Sequence, residues 1–228
     1  MINKNEKNDP GNFLNLKSFH SFAHSMENRR KILQKATELF MRSGIRSVSM
    51  DEIANQSGVS KKTIYQYYAD KDELVDAVMQ EEEKRIQNDT KECFEQSVDA
   101  VQEFLLTISR IYVQFSEMNP VVISDMERFH PKAHNRFQKM KYDHLFKVIQ
   151  KNLQRGIAEG LYREEIDTEV VTKYRLESIM IPFNLAVYPP AKFSLAAVTK
   201  ELMEHYLFGL ATLKGHKLIL KYKGKKKN

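Results

Sequence analysis

The chain has 228 residues, 42% hydrophobic and 29% charged, with eight Gly, six Pro and one Cys. That length buries a substantial core without disulfides or structural metal, and the balance excludes disordered, collagen-like and cysteine-stapled classes. The formal charge of +6 is unevenly placed: residues 28–71 carry nine Lys or Arg against four acids, residues 72–90 carry two against seven, and the six Lys beyond residue 214 equal the whole surplus, so net charge alone implies no nucleic-acid partner.

Residues 1–25 lack a sustained period and read as a flexible arm with at most one short helix. From Met26 the pattern changes. Ile32, Leu33, Ala36, Leu39 and Phe40 form the apolar stripe of a helix stopped at Gly44. Ser49 at an N-cap with Glu52 at N3 makes a capping box, opening a helix of about two turns that reaches Ser57-Gly58. Gly58-Val59-Ser60 supplies a tight turn, with Ser60 placed to cap a second short helix over 61–68. Asp70 and Glu73 repeat the cap and open a longer helix with Leu74, Val75, Val78 and Met79 on its buried stripe.

Two short helices joined by a Gly turn and braced by longer ones have the layout of a helix-turn-helix unit. Ile64 and Tyr68 fall at i, i+4 as inward anchors, leaving Lys61, Lys62, Thr63, Tyr65, Gln66 and Tyr67 on the outer face of the second short helix. Those side chains supply phosphate contacts, base-edge hydrogen bonds and thymine-methyl packing, and no acid interrupts them.

Further on, Phe94, Val98, Val101, Leu105, Ile108 and Tyr112 mark one helix, and Tyr142, Leu145, Phe146, Ile149 and Leu153 another, with Pro120 and Pro131 breaking the stretch between. A turn over 165–168 leads to an N-cap at Asp167 or Thr168. Helices are predicted over 169–187 and 194–213, the first ending before Pro189-Pro190, followed by a basic tail over 215–228 read as disordered.

Residues 28–79 resemble the TetR family of bacterial transcriptional regulators. The resemblance rests on Ile32-Leu33, Ala36, Leu39-Phe40, Gly44, Met50-Asp51-Glu52-Ile53-Ala54, Gly58-Val59-Ser60 and the run from Thr63 to Leu74. It implies an all-α protein: an N-terminal helix-turn-helix DNA-binding domain over 26–86 and a larger helical effector-binding and dimerisation domain over 87–214. By family position Lys61, Lys62, Tyr65, Gln66 and Tyr67 would meet bases or adjoining phosphates, with Ser49, Thr63 and Lys71 on the DNA backbone. Lys71 stands at a helix N-terminus, a favourable place for a phosphate clamp. Tyr68 occupies a place where the pattern often has Phe, so its hydroxyl needs a partner if buried. Beyond residue 90 only Gly156-x-x-x-Gly160-Leu161 and the acidic turn after it look familiar. The implied partners are double-stranded DNA with a near-palindromic operator, a second copy of the chain joined through 169–187 and 194–213, and a small apolar or aromatic effector that releases a repressor. An architectural or cell-division factor of the same fold, answering to a protein partner, is the alternative, and a filled core would favour it.

No catalytic residue, cofactor or metal site is expected. Phosphate-loop, HExxH and GxSxG patterns are absent. Cys93 has no disulfide partner, no apolar run is long enough to span a membrane, and the first residues lack a secretory apolar segment, so the cytoplasm is the expected compartment. His20 with His24 and His130 with His134 have an i, i+4 metal spacing, but one pair falls in the arm and the other across a Pro boundary. Phe104, Tyr112, Phe115, Phe129, Phe137, Phe146, Tyr174 and Phe183 suit either a core or an effector pocket. Arg110, Arg128, Arg136 and Arg175 lie among them, able to meet an anionic ligand or to pair with Glu103, Glu127 or Glu177.

Overall fold

The computed structural model describes residues 11–225, with side chains over 23–224. Among them the chain is helical, its one extended contact being an isolated antiparallel bridge between Tyr162 and Ala211. No described helix is long and apolar enough to cross a membrane.

The first long helix, α1 (Gly11–Ser43), is followed by the short α2 (Met50–Ser57) and α3 (Lys61–Tyr65) and the long α4 (Lys71–Gln96). α1 therefore begins well inside the stretch read as a loose arm; residues 1–10 lie outside the described residues. The scattered apolar residues before Met26 hid a helix whose backbone simply continues the strong stripe that follows.

Next come α5 (Ala100–Ser116), α6 (Val121–Phe129), α7 (Pro131–Met140), a π-turn over Lys141–Leu145 and α8 (Phe146–Ala158). The stripe from Phe94 to Tyr112 is not one helix. Asp99 Oδ1 accepts from Gln102 N at 2.8 Å and Gln102 Oε1 accepts from Val98 N at 2.8 Å, a reciprocal cap that restarts the chain as α5. Phe94 and Val98 consequently face solvent.

α9 (Thr168–Ser178) starts at the predicted Asp167 cap but stops well short of Val187. Pro182 is the cause: it has no N–H to donate, and its ring would strike the carbonyl of Ser178 four residues back in a continued helix. The chain instead makes a 3-10 turn over Ile181–Phe183 and runs without regular structure to α10 (Leu195–Leu210).

The basic tail is the larger correction. Leu213–Lys225 form α11, on which Leu218, Ile219 and Tyr222 fall at i, i+1, i+4 and pack on the second core, Ile219 being fully buried. Tyr222 Oη donates to Asp99 Oδ2 at 2.6 Å, and burial together with that bond pushes its pKa up to about 12. Charge counting missed this stripe because the lysines occupy the faces between.

Two apolar clusters result. One holds the helix-turn-helix unit together around Ile32, Phe40, Ile53, Ile64 and Leu74 and also takes in Val122, Met126 and Ala133 of α6 and α7. The other joins α5, α8, α10 and α11. Ile219→Ala should cost about 2–5 kcal/mol in chemical denaturation; an unchanged midpoint would mean that the tail is solvated after all.

Candidate nucleic-acid interface

Local sequence sets the helix-turn-helix geometry. Ser49 Oγ accepts from Glu52 N at 3.1 Å, and Ser60 Oγ accepts from Thr63 N at 3.0 Å, so each short helix begins on a hydroxyl cap. Gly58 takes the left-handed conformation, φ +68°, that the turn between them needs. Ile64 and Tyr68 are buried beneath α3, as their spacing predicts. The Tyr68 hydroxyl makes no hydrogen bond of good geometry, and burial raises its pKa while the Arg29 charge opposes that rise.

On the opposite face Lys62, Tyr65 and Gln66 are exposed and make no side-chain hydrogen bond among the described residues. Lys61 is exposed and paired with Asp51 at 2.7 Å, a solvated contact that contributes little to stability. Thr63 shares its hydroxyl with Ser60 at 2.8 Å, and exposed Ser49 spends one lone pair on its cap. Two residues differ from the sequence expectation. Tyr67 leans back on the core and its Oη donates to Ser25 Oγ on α1 at 3.0 Å. Lys71 turns inward: its Nζ donates to Ile45 O at 2.7 Å and to Val48 O, and burial lowers its pKa. Two of its three donors thus pin the loop before α2 to the start of α4. The helix itself covers five residues, so Gln66, Tyr67 and Tyr68 lie in the turn beyond its end.

The unit is fastened from below by contacts between residues far apart in the chain. Asp125 Oδ2 on α6 accepts from Arg46 N at 2.9 Å, and Met41 O accepts from Asn119 N at 2.7 Å. Gly44, at φ +86°, admits Val121 so closely that a Cβ there would stand 2.6 Å from Val121 Cγ1. His130 Nδ1 lies 2.6 Å from Asp72 Oδ1 at the first turn of α4. One turn further, Asp76 meets Arg136 at 2.9 Å and Lys132 at 3.0 Å, and the hydrogen bond from Arg136 holds its carboxyl below the usual range.

Directly behind these contacts is a cavity of about 220 Å³ bounded by α4 to α10. Met41, Met79, Val122 and Met126 line it and also belong to or pack on the core of the helix-turn-helix unit. Of the eight aromatics singled out, Phe104, Phe115, Phe137 and Phe183 line it, whereas Tyr112, Phe129 and Tyr174 are exposed and Phe146 is half-buried elsewhere. Arg110 and Arg175 line it too, while Arg136 serves Asp76 and Arg128 is exposed. His130 is committed to Asp72 and His134 lies 3.1 Å from Gln138 Nε2, so that pair does not converge; the His20 side chain lies outside the described residues. Cys93 is buried, which raises its thiol pKa.

These features define a helix-turn-helix protein whose exposed second helix is braced over a cavity-bearing helical domain. Residues 32–78 match the sequence model of bacterial regulatory proteins of the tetR family. That match places the helix-turn-helix unit of this chain with the tetR family. The chain is 45% identical over 56 residues to an HTH-type transcriptional regulator of Mycobacterium tuberculosis, a match spanning 25% of this chain and 24% of that relative. To the HTH-type transcriptional repressor KstR2 of Rhodococcus jostii it is 23% identical over 191 residues, covering 81% of this chain and 91% of the relative. The crystal structure of the transcriptional regulator FadR from Bacillus subtilis in complex with stearoyl-CoA shares the fold with a TM-score of 0.60 at 18% identity, covering 80% of this chain and 99% of that one.

Lys71→Met leaves two backbone carbonyls short of a donor and should destabilise the protein by about 1–3 kcal/mol, whereas Lys62→Ala should stay within about 0.5 kcal/mol; thermal or urea unfolding separates them. Asp76 has a lowered pKa in the folded state, so its contribution is present above about pH 4 and is lost as pH falls below that. Asp76→Asn should therefore flatten the acid limb of the stability–pH curve; an unaltered limb would show that the pair contributes nothing.

Proposed function

We propose that this protein is a ligand-responsive, sequence-specific DNA-binding regulator, a repressor that acts as a dimer on a near-palindromic operator and is released by a small apolar or aromatic effector. The observation that carries this reading is the sharing of one core: side chains that wall the cavity also support the recognition unit, so whatever fills the cavity acts on the position of α3. Lys62, Tyr65 and Gln66 are the base- and phosphate-contacting set, with Lys61 joining on release from Asp51.

Dimerisation is supported by the apolar side chains that α9 and the segment after it leave exposed, Val170 and Tyr174 at i, i+4 with Ile181 beyond them. Two recognition helices enter successive major grooves only at a spacing of about 34–36 Å, so an effector that favours another spacing weakens binding. KstR2, a repressor alignable along most of this chain, supports the sign of regulation, and the stearoyl-CoA complex of FadR supports a hydrocarbon-bearing effector. The rival factor without a small ligand requires a filled core, and a mostly apolar cavity argues against it.

Selection from random duplexes at several salt concentrations tests the reading. One near-palindromic motif should emerge. Tyr65→Ala should lose it by about tenfold or more, while Lys62→Ala should weaken all sequences alike and reduce the salt slope by about 1. Weak binding without a motif would overturn sequence-specific regulation.

A further inference from the structure

Five charged side chains line the cavity: Glu82, Asp89, Glu103, Arg110 and Arg175. Four have opposite charges at hand, since Arg85 holds Glu82, Arg110 holds Asp89 and Glu92, and Arg155 holds Glu103. Arg175 does not. It is 8% exposed, its Nη1 donates to Ser178 Oγ at 3.1 Å, its guanidinium stands 5.8 Å from the Tyr206 ring, and no carboxylate pairs with it among the described residues. From α10, Thr199 and Tyr206 line the same cavity, each buried and each with a hydroxyl that has no hydrogen-bond partner among the described residues. Native interiors rarely leave hydroxyls unsatisfied, and here two of them line the same cavity as a buried cation without a counter-charge.

We propose that the cavity takes an amphipathic organic acid whose carboxylate binds between Arg175, Thr199 and Tyr206 while its hydrocarbon body fills the apolar remainder. This rests on the reading of the cavity as the effector site. A guanidinium offers paired donors matched to the two oxygens of a carboxylate, and the two hydroxyls add one donor each. Burial raises the Tyr206 pKa, so the phenol keeps its proton and donates. A single unpaired cation matches a monoanion. A thioester of the same acid offers no charge at that carbon and leaves Arg175 uncompensated.

Calorimetric titration of the full chain with a graded series of straight-chain and aromatic carboxylic acids, each alongside its primary alcohol and its coenzyme A thioester, tests this. At least one acid should bind about tenfold or more tighter than its alcohol and its thioester. Arg175→Met should remove that preference, leave alcohol binding unchanged, and raise the unfolding temperature of the ligand-free protein, because an uncompensated buried cation has gone. Should that variant not fold, the double variant Thr199→Val with Tyr206→Phe should weaken the acid and spare the alcohol. Equal binding of acid and alcohol, an equally good thioester, undiminished acid binding by Arg175→Met, or no acid binding would each overturn the proposal. Adding each ligand to a protein–DNA complex separates the two readings: an acid held by Arg175 that leaves DNA bound defeats the effector role alone, and an alcohol that releases DNA as well as the acid does defeats the carboxylate site alone.

Discussion

The recognition unit has no floor of its own. Helices of eight and five residues do not persist in isolation, and their stability comes from the side chains they bury. Here Ile53 and Ile64 close over a cluster completed by Val122, Met126 and Ala133, residues that belong to the helices of the larger domain. A boundary drawn near residue 86 separates the unit by sequence, but the core crosses it. Met79, Val122 and Met126 thus face the cavity on one side and the core of the recognition unit on the other, so the two share one packed layer.

Polar contacts give that apolar floor a direction. The N-terminus of α4 is fixed by Lys71 on one side and by Asp72 and Asp76 on the other, the former reaching the loop before α2 and the latter two reaching His130 and Arg136. α4 is thus tied to both the loop before α2 and α7 within two turns. Lys71 shows how such a tie competes with DNA binding. A phosphate contact must use its third donor or give up carbonyl contacts that brace Ile45 and Val48. The freely exposed Lys62 carries no such conflict.

The helix-turn-helix was legible because its signals are local. Ser49, Ser60 and Asp70 cap within three residues, Gly58 answers one backbone angle, and Ile64 and Tyr68 lie one helical turn apart. What failed to show was set elsewhere. The restart at Asp99 had a readable Gln102 partner but lay inside a stripe that periodicity joined across it. Pro182 ends α9 ahead of the more conspicuous Pro189-Pro190. α11 was read by charge although its stripe was present. Asp125 and Asp76 carried no signal, and Arg136 pairs with Asp76 rather than with the acids near it in sequence, since these partners are 60 to 79 residues distant. Arg175 could be named as a candidate, but that it alone of the charged side chains lining the cavity lacks a counter-charge among the described residues is a property of the folded wall.

That wall continues towards the helix-turn-helix unit. Past Arg175 the chain leaves α9 at Ser178 and, forced by Pro182 into a 3-10 turn, carries Phe183 edge-on against Phe115 at 5.4 Å. Phe183 lines the cavity and also borders a shallow cleft walled by Arg46, Asp125 and Phe129. Arg46 packs over Phe129 at 5.2 Å and, through its backbone N–H, binds Asp125 just ahead of α2. An occupant drawn to Arg175 therefore bears on a segment whose other side adjoins the contact that seats the recognition unit. Contiguity alone moves no equilibrium; a ligand shifts the position of α3 only by the difference in its affinity for the two arrangements. A buried cation without a counter-ion creates such a difference, because an arrangement that keeps Arg175 facing the ligand is compensated and one that turns it away is not.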